Sequence, residues 1–382
     1  MELSFVVDEN APTKTTYIKD GTGTRVSLLE TVVGPNASGK TNLLKTLPIL
    51  KWLLIDSWNV SPDSPIPTKP FMTNASNETP TKLGVVFAVD DVIFEYDIHF
   101  TNQKIFYERL IERSMSSERR TPKVLFERKW NKVKDAYDLT LKNFNAPPGF
   151  EALIRKNATA ISTAIRLNHA LSNRIVSYWK EIDFNVKESG NITDEVFGYQ
   201  EFVMTAVGYF HGNPELKARA DEILQKFDLG LDSVVIEQVE NQLRVSAKHN
   251  FGKEQHLIPI NYESSGTRKL YGLLKIVLQA LTNGSIAIID EFDASLHPEM
   301  VQELIGMFRD PELNSKRAQL LFSTHSHAIL SQLDKYQIVL ADKNDQGATE
   351  IWRLDDVKGV RSTDNYYAKY IAGAYGAVPD IG

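Results

Sequence analysis

The sequence predicts an α/β fold with a parallel core sheet, an antiparallel β subdomain and a helical insertion. A glycine-rich loop, residues 34–41, lies between an apolar segment and a segment with helical spacing. Two more short apolar segments, 286–289 and 320–322, follow in the C-terminal third. Strands that alternate with helices in this way are typical of a parallel sheet. The residues between these two parts carry the signals of the antiparallel subdomain and then of the helical insertion.

The composition of the 382 residues is that of an ordinary globular protein, with 42% hydrophobic and 24% charged residues. A net charge of −6 argues against a protein that coats nucleic acid with its whole surface, although a local basic patch stays compatible with it. The chain has no cysteine, which excludes disulfides, thiol catalysis and cysteine-ligated zinc. Since no apolar run approaches the ~20 residues that span a bilayer and no signal-peptide pattern is present, we expect a cytoplasmic protein without a membrane partner.

The glycine-rich loop fits the phosphate-binding pattern G-x-x-x-x-G-K-[ST] without a mismatch. An apolar strand before it and the helix-forming segment 42–47 after it distinguish this loop from a glycine-rich turn that binds nothing. The glycines let the backbone fold around a polyphosphate, Lys40 reaches the outer phosphates, and the Thr41 hydroxyl is a ligand for Mg²⁺. The predicted nucleotide-binding residues are Gly34, Pro35, Asn36, Ala37, Ser38, Gly39, Lys40, Thr41 and Asn42.

The middle of the chain changes in character twice. A proline-rich loop, 61–80, precedes short antiparallel strands in 83–141, with a hairpin at Asp90-Asp91, and residues 150–227 are mostly helical. From Val234 onward we expect strands and helices to alternate as in a parallel sheet. We therefore expect a single domain, 1–382, made of a P-loop lobe (1–60), a loop and antiparallel β subdomain (61–145), a helical insertion (146–232) and a C-terminal lobe (233–382).

An apolar strand ends in two carboxylates, Asp290 and Glu291. Beside a phosphate-binding loop, Asp290 is placed to hold Mg²⁺, and Glu291 is placed to orient and deprotonate an attacking water. A strand that merely ends in solvent can also carry two carboxylates at its end. The position downstream of the phosphate-binding loop favours the catalytic interpretation.

A second candidate phosphate site precedes a helix with one apolar face that ends before Gly284. Its residues are Ser264, Ser265, Gly266 and Thr267. An N-cap accounts for these residues when they are taken alone. Together with the other motifs they favour a second anion site at a helix N-terminus.

His325 follows the apolar strand 320–322. A single histidine is usually structural. At the end of a strand that comes after the Asp290-Glu291 strand, it is a natural contact for a γ-phosphate.

Together these motifs resemble those of ABC-type ATPases. Residues 264–267 resemble the signature motif, although the usual form has two glycines and a glutamine, while 293–298 resembles the D-loop and His325 the switch histidine. The asparagine in the phosphate-binding loop is typical of the SMC/RecF/OLD branch rather than of transporters. Within that branch, three segments resemble the compact AAA-type ATPases of prokaryotic defence systems, the RloA/AbiL kind. These segments are 291–298, 323–326 and 373–379.

The resemblance implies a P-loop ABC-type ATPase head that uses ATP and Mg²⁺. It implies catalytic roles for Glu291 and His325, and metal contacts from Thr41 and Asp290. It further implies a homodimer, or a higher even-numbered homo-oligomer, in which the signature residues 264–267 of one subunit face the ATP of the other. Two features of the group are missing. One is an initial strand of the form Phe-x-x-x-Asn-Phe, from which we expect a chain that either starts internally or is truncated. The other is a recognisable Mg²⁺-sensing glutamine.

Three functions compete at this stage. The leading one is an ATP-driven switch in anti-phage defence that controls a separately encoded effector, a nuclease or toxin. The second is a DNA-binding repair ATPase of the RecF/SMC kind, although sustained heptads for long coiled-coil arms are missing. The third, a transporter subunit, is disfavoured by the long insertion and by the asparagine-containing loop.

A cluster of basic residues between 119 and 134 bears on direct nucleic-acid binding. It includes Arg128 and Lys129 and is interleaved with Phe126 and Trp130. The cluster fits a nucleic-acid or effector-docking face. Acidic neighbours such as Glu127 favour a solvated β-hairpin instead.

Overall fold

The structure is a computed structural model that describes residues 1–9, 11–20, 23–68, 79–90, 92–114, 122–187, 190–192, 196–227 and 230–378. The described strands are β1 (Tyr17–Lys19), β2 (Arg25–Ser27), β3 (Leu29–Val33), β4 (Thr81–Val89), β5 (Val92–Phe100), β6 (Ile105–Ser114), β7 (Lys123–Asn131), β8 (Ala136–Thr140), β9 (Asp183–Phe184), β10 (Val186–Lys187), β11 (Gly190–Asn191), β12 (Leu231–Val239), β13 (Gln242–Phe251), β14 (Glu254–Pro259), β15 (Ile286–Ile289), β16 (Gln319–Ser323), β17 (Ile338–Lys343) and β18 (Thr349–Arg353). The described α-helices are α1 (Lys40–Leu44), α2 (Thr46–Ile55), α3 (Phe150–Leu153), α4 (Ala160–Ala164), α5 (Ala170–Glu181), α6 (Val196–Gly212), α7 (Pro214–Phe227), α8 (Ser265–Asn283), α9 (Pro298–Arg309) and α10 (Tyr366–Ile371).

The chain divides into two compact units. The first unit consists of 1–18, 25–44 and 182–382, and the second of 19–24 and 45–181. These boundaries differ from those of the four predicted segments. The single domain made of four segments therefore stays a prediction.

A parallel sheet forms the centre of the first unit. Among the described residues it has six strands in the order β18-β17-β3-β16-β15-β9, with every neighbouring pair parallel except the edge strand β18. Strands β3 and β15 are buried at every residue, as expected for central strands of a parallel sheet; β15 is apolar throughout, whereas β3 also buries Glu30 and Thr31. The predicted parallel core sheet is confirmed. Because β3, β15 and β16 run side by side in the same direction, their carboxyl ends meet at one edge.

Helix α8 carries much of the apolar core of the first unit. Most of its residues are buried, and α6 and α7 contribute to the same cluster of apolar side chains. At Gly272 a β-carbon would lie 2.2 Å from Cε1 of Phe202, so a larger residue would force α6 away from α8. Gly284 ends the helix with φ of +69°, the left-handed conformation that favours glycine.

The segment from β12 to β14 corrects one expectation. These strands form an antiparallel sheet rather than part of a parallel one, so the prediction of parallel alternation from Val234 onward is wrong until β15 begins. The reason is the length of the connections. Only two residues separate β12 from β13 and β13 from β14, whereas a parallel crossover needs a dozen or more.

The second unit contains the predicted antiparallel β subdomain. Strands β4 to β8 are hydrogen-bonded in simple chain order, and each pair is antiparallel. This confirms the strands expected in 83–141. The predicted hairpin at Asp90-Asp91 is described only in part, since residue 91 lies outside the described residues, as do residues 69–78 of the proline-rich loop.

Arg128 is buried, although both interpretations of the basic cluster, a docking face and a solvated hairpin, placed it at the surface. It is fully buried; its Nε lies 2.7 Å from Oε2 of Glu108, and its guanidinium also donates to the carbonyl of Ala158 at 2.6 Å. Cross-strand register places Arg128 opposite Glu108 on the inner face of the sheet, where a buried charge needs a partner. Lys129 pairs with Glu127 at 3.1 Å, which supports the solvated-hairpin interpretation. Residues 119 and 120 lie outside the described residues.

The buried carboxyl group of Glu30 in the core sheet predicts that the stability of the fold depends on pH. Glu30, in the middle of β3, is fully buried, and neither of its carboxyl oxygens has a hydrogen-bond partner in the described part of the chain. Burial raises its pKa well above 4.5, and the charge of Arg353 only partly opposes this shift. A carboxyl whose pKa is higher in the folded state destabilises the fold as pH rises from the unfolded pKa through the folded one.

We therefore predict that Glu30→Met stabilises the protein by ~1–3 kcal/mol at pH 8 and by less at pH 5. Thermal unfolding at the two pH values measures the difference. Glu350→Gln, at an exposed position of β18, serves as the control. Equal effects at both pH values would show that Glu30 has the same protonation state across this range.

Candidate nucleotide-binding site

The predicted motifs meet at one edge of the core sheet. Strand β3 leads into the phosphate-binding loop, β15 ends before Asp290, and β16 ends before Thr324. The Thr41 hydroxyl donates a hydrogen bond of 2.8 Å to Oδ2 of Asp290, although 249 residues separate them along the chain. The structure thus brings together the phosphate-binding loop and the acidic strand end, as the sequence predicted.

The phosphate-binding loop curls around the amine of Lys40. The Nζ atom donates to the carbonyls of Gly34 and Pro35 at 2.9 and 3.0 Å, and the residue is only 6% exposed. Burial lowers the pKa of Lys40, and the nearby carboxylates of Asp290 and Glu291 oppose this shift. The loop therefore holds a cation at the start of α1, directly behind the loop backbone.

Two positions of this loop accept only glycine. At Gly34 a β-carbon would lie 2.0 Å from the Ala341 carbonyl oxygen on β17, which is closer than any real contact. Gly39 has φ of +103°, and a β-carbon there would lie 2.1 Å from Oγ1 of Thr349. The tight course of the loop thus depends on contacts with β17 and β18 as well as on its own sequence.

The loop residues fit a polyphosphate with Mg²⁺. The Ser38 hydroxyl is buried without a hydrogen-bond partner among the residues that the structure describes, which leaves a polar group available to a phosphate oxygen. Thr41 and Asp290 offer the hard oxygen ligands that Mg²⁺ prefers. Across the described ranges, this site included, no group of three or more His, Asp or Glu side chains is arranged to hold a metal ion.

Asp290 is fixed by residues that the sequence did not point to. Its Oδ1 accepts a 2.5 Å hydrogen bond from the Ser323 hydroxyl. Its backbone N–H donates to the Asn185 side chain at 2.7 Å, and its carbonyl accepts from the amides of Asn185 and Asn191 at 2.8 and 3.1 Å. Both the carboxylate and the backbone of Asp290 are therefore held in place. The contact of Ser323 with Asp290 could have been predicted, because Ser323 lies at the end of β16, the strand next to β15. No feature of the sequence around the two asparagines predicted their contacts with Asp290.

The two predicted catalytic residues lie close together. Nε2 of His325 is 3.5 Å from Oε1 of Glu291, and both side chains are more than a third exposed at the sheet edge. Asp293 holds the histidine segment, since its Oδ1 accepts from the Thr324 hydroxyl at 2.7 Å and from the His325 N–H at 3.0 Å. Asp293 thereby links the D-loop-like segment to the switch-histidine segment.

The signature-like segment forms the N-terminus of α8. Ser264 is the N-cap: its Oγ accepts a 3.0 Å hydrogen bond from the Thr267 N–H, and the two hydroxyls are 2.8 Å apart. The capping role is confirmed. At Gly266 a β-carbon would lie 2.8 Å from the Ser295 carbonyl oxygen, so this glycine allows the helix to pack on the D-loop-like segment.

A parallel sheet with this loop after β3 and with Asp290, Glu291 and His325 at the neighbouring strand ends defines a P-loop nucleotide-binding protein. A family model described as "AAA domain, putative AbiEii toxin, Type IV TA system" matches residues 31–331, and the chain belongs to this family. Family membership makes it a P-loop ATPase domain.

The structural comparison returned a solved structure titled "Crystal structure of the SmcHead bound to the C-winged helix domain of ScpA". It is 14% identical, with a TM-score of 0.41, and the match covers 88% of this chain and 94% of that chain. No curated protein sequence matched. In the described part of the chain, no helix is long and apolar enough to cross a membrane.

Proposed function

We propose that this protein is a cytoplasmic ATP-driven switch that dimerises around ATP and controls a separately encoded effector, a nuclease or toxin, in prokaryotic anti-phage defence. The observation that carries the ATPase part is the convergence of the phosphate-binding loop, Asp290, Glu291 and His325 at one sheet edge. The family description, which names a toxin of a toxin–antitoxin system, supports the defence part. The motif resemblance to the RloA/AbiL kind points in the same direction.

The chemistry follows from the residues at the sheet edge. Lys40 neutralises the charge of the outer phosphates, while Thr41 and Asp290 hold Mg²⁺, which shields the developing charge when bound. Glu291 accepts the proton of the attacking water. His325, 3.5 Å from the Glu291 carboxylate, orients the water and the transferring phosphate.

The signature segment is proposed to act on the ATP of the other subunit. The N-terminus of α8 offers the hydroxyl of Ser264 and backbone amides, a favourable setting for an anion. In the same subunit, Asp290, Glu291 and His325 already occupy the strand ends around the phosphate-binding loop. The signature segment is therefore proposed to contact the ATP of the other subunit. A γ-phosphate held from both sides would make a homodimer, or a higher even-numbered homo-oligomer, depend on ATP, and an effector can detect that change.

We predict that two inactive variants, Lys40→Ala and Ser264→Arg, regain activity when they are mixed. A mixed dimer has one site with both lesions and one with neither. An equal mixture should therefore recover about a quarter of wild-type ATPase activity, since half of the dimers are mixed and each contains one intact site. Steady-state ATPase assays on refolded or subunit-exchanged mixtures provide the measurement.

The matched control is a mixture of Lys40→Ala with Glu291→Gln. Both substitutions lie in the subunit that supplies the phosphate-binding loop of a site. Each site of that mixed dimer therefore carries one inactivating substitution, and no activity should return. A dead Lys40→Ala and Ser264→Arg mixture in which mixed dimers have formed would contradict a shared site. Salt-sensitive binding of duplex DNA by the wild type would instead support a repair ATPase of the RecF/SMC kind.

A further inference from the structure

The backbone of Glu291 adopts an unusual conformation. Its φ is +49°, in the left-handed region that residues other than glycine rarely occupy. Such a conformation persists only where the surroundings enforce it, and it sets the direction in which the side chain leaves the strand end. The contacts that enforce it therefore also place the carboxylate of the proposed base.

Side chains hold the peptide groups of Glu291 from both sides. Its N–H donates to the Ser323 hydroxyl at 2.8 Å, and its carbonyl accepts from the Nζ of Lys269 at 3.0 Å. Lys269 lies in the second turn of α8 and is only 3% exposed. A buried ammonium requires polar partners, and one of those partners is this carbonyl.

The same helix also touches the segment that follows Glu291. Gly266, one turn before Lys269 on α8, packs so closely on the Ser295 carbonyl that a β-carbon would lie 2.8 Å from its oxygen. Ser295 is itself left-handed, with φ of +63°. Helix α8 thus contacts the strained segment 291–295 at both of its ends, through a buried lysine and through a glycine.

We infer that Lys269 is a positioning residue for Glu291 and that it ties the signature helix of each subunit to the proposed base of that same subunit. This inference rests on the proposed function. When the N-terminus of α8 engages an anion, any shift of the helix is passed to the backbone of Glu291 through the Lys269 ammonium. Each subunit could in this way adjust its own hydrolysis to the contact that it makes with its partner's ATP.

The test is to compare Lys269→Met, Lys269→Arg and Lys217→Met. The control, Lys217, is a half-buried lysine of α7 whose Nζ lies 2.5 Å from Oδ2 of Asp221. We expect Lys269→Met to lower kcat by about 10–100-fold with a change in KM for ATP of no more than about twofold, because the base is misplaced while the phosphate contacts persist. Lys269→Arg should recover part of kcat, and Lys217→Met should stay close to the wild type.

Two further measurements separate positioning from a general structural role. The Lys269→Met protein should form the ATP-dependent dimer and keep it for longer, and added Mg²⁺ should not restore its rate, since the hydrogen bond to the Glu291 carbonyl is the one that is lost. If Lys269→Met fails to fold, Lys269→Gln, which keeps a polar side chain but is too short to reach the Glu291 carbonyl, is expected to show the same split between kcat and KM.

A wild-type kcat in Lys269→Met, or a rise in KM that accounts for the whole loss, would overturn the inference. Glu291→Gln is measured alongside to separate the two ideas. If Glu291→Gln blocks hydrolysis while Lys269→Met does not, the positioning role fails and the ATPase proposal stands. If Glu291→Gln hydrolyses ATP at the normal rate, Glu291 is not the base and the positioning role fails with it, whereas the ATPase activity itself stands.

Discussion

Replacing Glu291 by glutamine is expected to slow ATP hydrolysis by about 10²–10⁴-fold while ATP binding stays intact, as removal of a general base does. The amide keeps the size of the side chain and its place beside His325, but it cannot accept the proton of the attacking water. The contacts from Lys40, Thr41 and Asp290 are unchanged. The variant should therefore accumulate as an ATP-bound dimer, which size-exclusion chromatography with ATP detects alongside the ATPase assay.

Glu299→Gln is the matched control, because it removes one exposed carboxylate from the first turn of α9, a few residues further along the chain. It should leave the rate unchanged. Hydrolysis at the normal rate in Glu291→Gln would mean that the water is activated by another group. Loss of ATP binding in this variant would mean that Glu291 holds the nucleotide rather than acting as the base.

Replacing Lys40 by alanine is expected to abolish turnover and to weaken ATP binding by about 2–5 kcal/mol, the usual cost of truncating one partner of a buried charge pair. Lys40 is the cation that the phosphate-binding loop encloses, and its ammonium is already drawn to two loop carbonyls at 2.9 and 3.0 Å. Titration with a fluorescent ATP analogue measures the affinity, and the ATPase assay measures the rate.

Lys45→Ala removes the same charge just after α1 and should behave like the wild type, so a loss confined to Lys40→Ala cannot come from net charge. Circular dichroism tests whether both variants fold. ATP affinity and turnover at wild-type levels in Lys40→Ala would show that the loop does not bind the nucleotide, and the proposed function would fall with it.

Local signals determined the elements that carry the candidate site. The course of the phosphate-binding loop, the acidic end of β15, the histidine after β16 and the start of α8 at Ser265 each depend on residues within a few positions of one another. Glycine conformation, N-capping by a serine hydroxyl and continuous apolar strands act at that short range. Because β3, β16 and β15 are parallel neighbours, their carboxyl ends then meet at one edge of the sheet.

Tertiary structure alone decided which partners hold those residues. Asn185 and Lys269 fix the backbones of Asp290 and Glu291 from 105 and 22 residues away, and nothing in their own neighbourhoods marks them for it. Arg128 resembles a surface cation in the sequence, yet it is buried, because cross-strand register sets it against Glu108. Sequence patterns report the preferences of short segments, whereas these contacts depend on the register of paired strands and on how helices pack, which only the folded chain sets.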